Sequence, residues 1–169
     1  MKIIAIVAVA ENNAIGKNNR LLWRLPNDMK FFKDHTVGHC VVTGRKNYES
    51  IPEKFRPLPD RINIVVTRQQ NYQAPGAVVV PTIEAAVNYA KERGEEELFV
   101  IGGGEIYKQM LNMTDEILYT KVHQSFAADT FFPAIDPEVW KETWREEHKA
   151  DEKHAYDYTF IHFRRRMQL

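Results

Sequence analysis

Cys40-Val41-Val42-Thr43-Gly44-Arg45-Lys46-Asn47 is an apolar run that passes through a glycine into a basic, polar stretch, with Ile51-Pro52 closing a short helix. Leu98-Phe99-Val100-Ile101-Gly102-Gly103-Gly104-Glu105 repeats that arrangement, and the pattern beyond it predicts a helix over about 105–111. Short apolar runs bounded by turn residues fit strands covered on both faces. A strand that runs straight into a helix, twice over, is the unit of a parallel sheet.

The same alternation extends outward. Residues 3–10 form an apolar run, followed by a polar stretch over 11–20 that reads as a loop. Further strands are expected at 63–67 and 77–80. Thr82 is placed to cap a helix with Ala85, Ala86, Tyr89 and Ala90 inward, stopped at Gly94. Residues 116–122 and 156–163 alternate apolar and polar, the pattern of antiparallel edge strands. The fold class expected is α/β: a single domain over 1–169, with a mainly parallel central sheet of about eight strands, helices on both faces and an antiparallel C-terminal edge. No repeat or linker interrupts it.

Both glycine turns place backbone N–H groups and the positive end of a helix dipole at the carboxyl edge of the sheet, an arrangement suited to phosphate. Arg45 and Lys46 add cations at one turn, and Thr67-Arg68 add a hydroxyl and a guanidinium at the end of a third strand. Each feature alone is weak, because a glycine run before a helix is more often a tight turn. Together they suit one ligand carrying several phosphates, such as a dinucleotide with an extra ribose phosphate.

Leu22-Trp23-Arg24-Leu25-Pro26-Asn27-Asp28 starts a helix at a proline, which the first turn tolerates. Leu25, Met29 and Phe32 recur at i, i+4 and i+7, the spacing of a core-facing stripe, and Asp28 projects beside it. An acid there either complements the helix dipole or is a carboxylate tuned by apolar walls.

The 169 residues carry 23 Lys+Arg against 23 Asp+Glu, so no charge excess favours a nucleic-acid or membrane surface. Cys40, the one cysteine, reads as a buried strand residue, and the six histidines show no metal-ligand spacing. The apolar start is too short for a signal peptide, which points to the cytoplasm. Arg164-Arg165-Arg166 reads as a solvated end.

The chain also resembles dihydrofolate reductases, and the resemblance runs nearly end to end. It is carried by Ile6-Val7-Ala8, Ile15-Gly16, Trp23 through Asp28, Thr43 through Ile51, Arg56 through Arg61, Val66-Thr67-Arg68, Val100 through Tyr107, Tyr119-Thr120 and Asp129 through Pro133. The resemblance implies hydride transfer from NADPH to C6 of the pterin of 7,8-dihydrofolate, with protonation of N5. It makes Asp28 the ionisable group of the pterin pocket, with a pKa raised by desolvation. Thr120 would hydrogen-bond Asp28, and Trp23 would help hold a water. Ile6 and Val7 would line the pterin pocket. Phe32, Ile51 and Leu58 would pack the aminobenzoyl ring, Arg61 would pair with the glutamate α-carboxylate, and Arg56 is counted with the substrate residues. For NADPH, Ala8 and Ile15 would hold the carboxamide, and the loop from Gly16 through Asn19 to Leu21 would close over the ring. Arg45, Thr67 and Arg68 would grip the adenosine phosphate. Lys46, Asn47, Gly103, Gly104, Glu105 and Ile106 would cradle the pyrophosphate, with Gly44, Ile101, Gly102 and Tyr107 completing the cofactor set. No metal is implied, and a monomer is expected.

Three positions depart from the family's usual pattern: Leu22 where proline usually precedes the tryptophan, Ala128 where bacterial members often have glycine, and a lengthened segment at 52–55. Two other readings differ in what they require. The related pyrimidine reductase of riboflavin synthesis would share fold and NADPH but has no use for Asp28 after Trp23 or for Arg61. A non-catalytic nucleotide-binding regulator would keep the phosphate turns and need no buried acid.

Overall fold

In the computed structural model, which describes residues 1–17 and 22–167, eight strands form one sheet. They are β1 (Lys2–Ala10), β3 (Cys40–Gly44), β4 (Ile62–Val66), β5 (Val78–Val80), β6 (Glu97–Gly102), β7 (Glu116–Val122), β9 (Trp140–His148) and β10 (Tyr158–Arg165). Two short strands, β2 (Ala14–Gly16) and β8 (Thr130–Phe131), pair separately. The helices are α1 (Pro26–Thr36), α2 (Arg45–Ser50), α3 (Ile83–Glu92) and α4 (Gly104–Met110). The sheet order is β5-β4-β3-β6-β1-β7-β10-β9. Every neighbour is parallel from β5 through β7, and β10 and β9 add antiparallel to that side.

The two-residue period of β1 divides the core. Ile3, Ala5, Val7 and Val9 join Val42, Ile64 and Val100 under Ala86 and Ala90 of α3 and Ile106 and Met110 of α4. Ile4 and Ile6 point the other way, with Val41 and Phe99, against Phe31 and Phe32 of α1. Helices therefore cover both faces, as an apolar parallel sheet requires. Thr82 accepts a hydrogen bond from the Ala85 amide at 3.0 Å and caps α3. Cys40 is buried, and burial, with Glu95 beside it, pushes its thiol up to about 11, which makes it a poor nucleophile.

Five expectations need correction. The polar stretch over 11–20 is not all loop, because Ala14–Gly16 pairs with Thr130–Phe131. β7 is not an edge: it lies between β1 and β10. β10 is interior too, and the edge is β9, whose charged run Lys-Glu-Thr-Trp-Arg-Glu-Glu-His gives no apolar alternation to read. Arg165 is no solvated end. Its guanidinium donates to the carbonyls of Thr114 and Leu111 at 2.9 and 2.6 Å and lies over the Trp140 ring. Finally, Met29 is 53% exposed and takes no part in a core stripe. Leu25, the N-cap residue in extended backbone (φ −127°, ψ 101°), is buried, and the packed face of α1 is carried by Phe31 and Phe32.

Candidate active site

The two glycine turns lie side by side because β3 and β6 are neighbours, with Thr43 opposite Gly102. The Thr43 hydroxyl donates to the Gly102 carbonyl at 2.9 Å and accepts from Asn47 Nδ2 at 2.9 Å, and that amide also reaches the Ile101 carbonyl. These bonds lock the start of α2 to the end of β6. Gly102 has φ +107°, and a Cβ there would meet the Tyr107 ring at 2.9 Å. At Gly104 a Cβ would meet Thr130 Cγ2 at 2.6 Å, so the backbone of the turn can pass this close only as glycine.

A cavity of about 970 Å³ runs along the carboxyl ends of β1, β3, β4 and β6. Ala8, Ile15 and Gly16 line one end. Gly44, Arg45, Lys46 and Asn47 line it from the first turn, and Gly103, Gly104, Glu105, Ile106 and Tyr107 from the second. Ile101, Thr67, Arg68 and Val7 complete the part read from the sequence. Gly102 shapes the turn without lining the cavity. Asn19 and Leu21 lie outside the described residues. The sequence reading missed Ser50, Val66, Pro81, Ile83, Glu84, Gln109 and Thr130 on the wall, and it took Thr82 only as a helix cap.

The cavity fits a polyphosphate ligand on its own chemistry. The caps Gly44 and Gly103 make no side-chain hydrogen bond to α2 or α4, so the first-turn N–H groups receive no acceptor from their own caps. Arg68 is exposed, whereas Arg45 already donates to Glu49 at 2.5 Å. The extra ribose phosphate of a dinucleotide would therefore meet one guanidinium with no partner among the described residues and one shared with a carboxylate.

Across β1 from this cavity stands the acid. Ala8, on the cavity wall, is opposite Thr120 in the β1–β7 ladder, and the Thr120 hydroxyl donates to Asp28 Oδ1 at 2.7 Å. Thr120 itself is buried, and Asp28 is partly exposed. Burial raises the Asp28 pKa above the ordinary 3.8, with the Thr120 bond opposing the shift. The same charge is felt by Tyr107, whose phenol is raised mainly by its own burial and then by Asp28. Tyr107 donates to the Ile6 carbonyl at 2.7 Å, just beyond Ala5, where the β1–β6 ladder ends. Tyr107→Phe would leave that carbonyl unpaired and is expected to cost about 1–3 kcal/mol, measured by urea denaturation. An unchanged midpoint would mean the bond contributes nothing.

Of the other predicted substrate residues, Val7 points to the α3 and α4 side and lines the cavity, while Ile6 and its neighbours lie on the α1 side of the sheet. Ile6, Phe32 and Leu58 pack in one cluster, and Ile51 follows α2. Arg61 donates to the Pro59 carbonyl and, through Nη1, to Thr36 Oγ1 at 3.2 Å, with its guanidinium over the Phe32 ring. Burial lowers its pKa, against the opposing effect of Asp60. Arg56 is committed differently: Nη1 donates to the carbonyls of Glu49 and Ile51 at 2.8 and 2.9 Å and holds the end of α2. Trp23 packs on Phe126 at 5.3 Å, and Phe126 on Tyr156 at 5.2 Å. Asp129 donates its amide to the Gly16 carbonyl at 3.1 Å, so the segment after Ala128 abuts the end of β2.

The sign of the Asp28 shift sets a stability test. A raised pKa means the folded state holds its proton to higher pH than the unfolded chain does. The stability contributed by that proton is lost as pH rises through the folded value, so the ionised acid costs stability at pH 7. Asp28→Asn should melt above the wild-type protein at pH 7, with the gain shrinking as pH falls toward 4. A lower melting point at pH 7 would show that the carboxylate stabilises the fold.

Among the described residues no group of three or more His, Cys, Asp or Glu is arranged to hold a metal ion. Residues 2–165 match the family model for dihydrofolate reductase. A dihydrofolate reductase of Neisseria meningitidis serogroup A is 43% identical over 165 residues, 98% of this chain and 99% of that protein. One from Bacillus subtilis is 40% identical over 161 residues, covering 95% and 93%. Among solved structures, a dihydrofolate reductase from Enterococcus faecalis complexed with NADP(H) and RAB-propyl superposes with a TM-score of 0.90 at 36% identity. That match covers 98% of this chain and 97% of the other.

Proposed function

We propose a residue-level reading of this site from one premise: the chain belongs to the dihydrofolate reductase family. It is an NADPH-dependent oxidoreductase that converts 7,8-dihydrofolate to 5,6,7,8-tetrahydrofolate. The observation that carries the residue assignment is the Ala8–Thr120 pair, which sets the wall of the phosphate-binding cavity one strand away from Asp28.

NADPH supplies the hydride when bound. The residues on the wall fit it in three parts: Arg68, Arg45 and Thr67 at the adenosine phosphate, the two glycine turns with Lys46 and Asn47 at the pyrophosphate, and Ala8 and Ile15 at the carboxamide. Asp28 accepts hydrogen bonds from the pterin N–H and exocyclic amine, which orients the ring with C6 toward the cavity. Its charge also favours a proton at N5, delivered through water that Trp23 helps hold. Thr120 fixes the carboxylate rotamer. Ile6 and Val7 exclude solvent from the pterin, Phe32, Ile51 and Leu58 pack the aminobenzoyl ring, and Arg61 receives the glutamate α-carboxylate, a bidentate task that suits a guanidinium. Arg56 supports that wall through the Glu49 and Ile51 carbonyls.

The protein acts on this reading as a monomer in the cytoplasm, within folate metabolism, and as a target for antifolates. No helix among the described residues is long and apolar enough to cross a membrane. The pyrimidine-reductase and regulator readings leave the Asp28–Thr120 pair without a use. Addition of dihydrofolate to purified protein with NADPH should consume NADPH absorbance and yield tetrahydrofolate in equal amount. Binding of NADPH with no turnover would contradict the assignment.

A further inference from the structure

The helix that carries Asp28 begins without a cap of its own. Leu25 provides no side-chain acceptor and Pro26 no N–H, which leaves the Asn27 amide as the first donor needing a partner. That partner comes from 127 residues away: Asn27 N–H donates to His154 Nε2 at 3.1 Å. The other ring nitrogen, Nδ1, lies 2.8 Å from Asp151 Oδ1. Asp151 accepts only, so Nδ1 carries the proton and Nε2 keeps its lone pair for the helix. The His154 side chain is 2% exposed and fixed from behind, because backbone bonds between Asp151 and His154 close the loop that presents it. A second tether runs in parallel, from Asn27 Nδ2 to the Tyr158 hydroxyl at 2.7 Å.

We propose that His154 is a positioning residue for Asp28: its neutral ring caps α1 from the β9–β10 connection and holds the turn that presents the carboxylate. The inference rests on the reading of Asp28 given above. Asp28 is thereby held from two sides, by Thr120 at its oxygen and by His154 at the amide of the preceding residue. Only the neutral ring can do this. A protonated ring turns an N–H toward the Asn27 N–H, and the cap becomes a repulsion.

Asp151 bonds Nδ1 from its own loop. Tyr158 of β10 lies 5.1 Å away, ring to ring, and His148 of β9 stacks on Tyr158 at 4.9 Å. On α1 the adjacent titratable group is Asp28 itself.

The test is single-turnover hydride transfer from NADPH to dihydrofolate at pH 7.5 in the wild-type protein, His154→Leu, His154→Gln and Asp28→Asn. His154→Leu removes the acceptor and should slow hydride transfer about three- to tenfold at pH 7.5, the size of one lost hydrogen bond. NADPH affinity, read by fluorescence, should not move, because the cofactor cavity lies across β1. His154→Gln offers an uncharged acceptor near the place of Nε2 and should restore the rate to within about twofold. A Leu variant as fast as wild type, or a Gln variant as slow as Leu, would overturn the proposal. If Asp28→Asn keeps the wild-type rate, the reading of Asp28 fails and this one with it. If Asp28→Asn is slow while His154→Leu is not, the positioning role alone falls.

Discussion

Asp28→Asn is expected to reduce steady-state turnover of dihydrofolate at pH 7 by about 10²–10⁴-fold, the range that one positioned acid–base group contributes. The substitution keeps the size of the side chain and an oxygen that can accept from Thr120, so the fold and the cofactor cavity should survive. What it removes is the charge. An amide can still meet the pterin N–H, but it cannot favour a proton at N5. NADPH binding should therefore stay within about twofold while turnover collapses. The same variant should gain stability at pH 7, because burial opposes the ionised acid. Lower activity with higher stability is hard to produce by misfolding, and together the two changes isolate the carboxylate.

Arg68→Ala is expected to weaken NADPH by roughly tenfold to a hundredfold and to leave NADH nearly unchanged. A charge-assisted hydrogen bond is worth about 1.5–3 kcal/mol, and only NADPH carries the phosphate that would receive it. Arg68 is exposed at the end of β4, on the cavity wall beside Thr67. Arg45 provides an internal comparison. Its guanidinium already bonds Glu49, so a phosphate gains less from it, and Arg45→Ala should cost less than Arg68→Ala. Dissociation constants for the two cofactors, measured by fluorescence quenching, decide this. Equal losses for NADPH and NADH would mean that Arg68 supports the loop and not the phosphate.

The parts of this molecule that were legible in its sequence are those with strong local signals. Apolar runs ending in glycine marked β3 and β6 and the turns after them, because a buried parallel strand needs unbroken apolar residues and a strand-to-helix turn needs glycine. That was enough to put most of the cavity wall in one place. Signals that depend on tertiary context were lost. The buried polar Thr120 helped β7 to read as a half-exposed edge, yet it is buried to hold Asp28. β9 shows a charged run because a sheet edge leaves most of its side chains in water. Arg165 looked like a tail because its partners, Thr114 and Leu111, lie about fifty residues away in sequence. His154 carried no motif, since its task is to accept one backbone hydrogen bond from a distant helix.

The central claim is that a half-buried Asp28, held by Thr120 one strand from the cofactor cavity, supplies the charge that brings a proton to pterin N5. The most direct test is the ratio of wild-type to Asp28→Asn single-turnover hydride rates between pH 5 and 8. At low pH solvent protonates the substrate without help, so the ratio should be smallest there and should climb toward neutrality. A ratio that stays constant across the whole range would contradict the account, because it would assign Asp28 to binding alone.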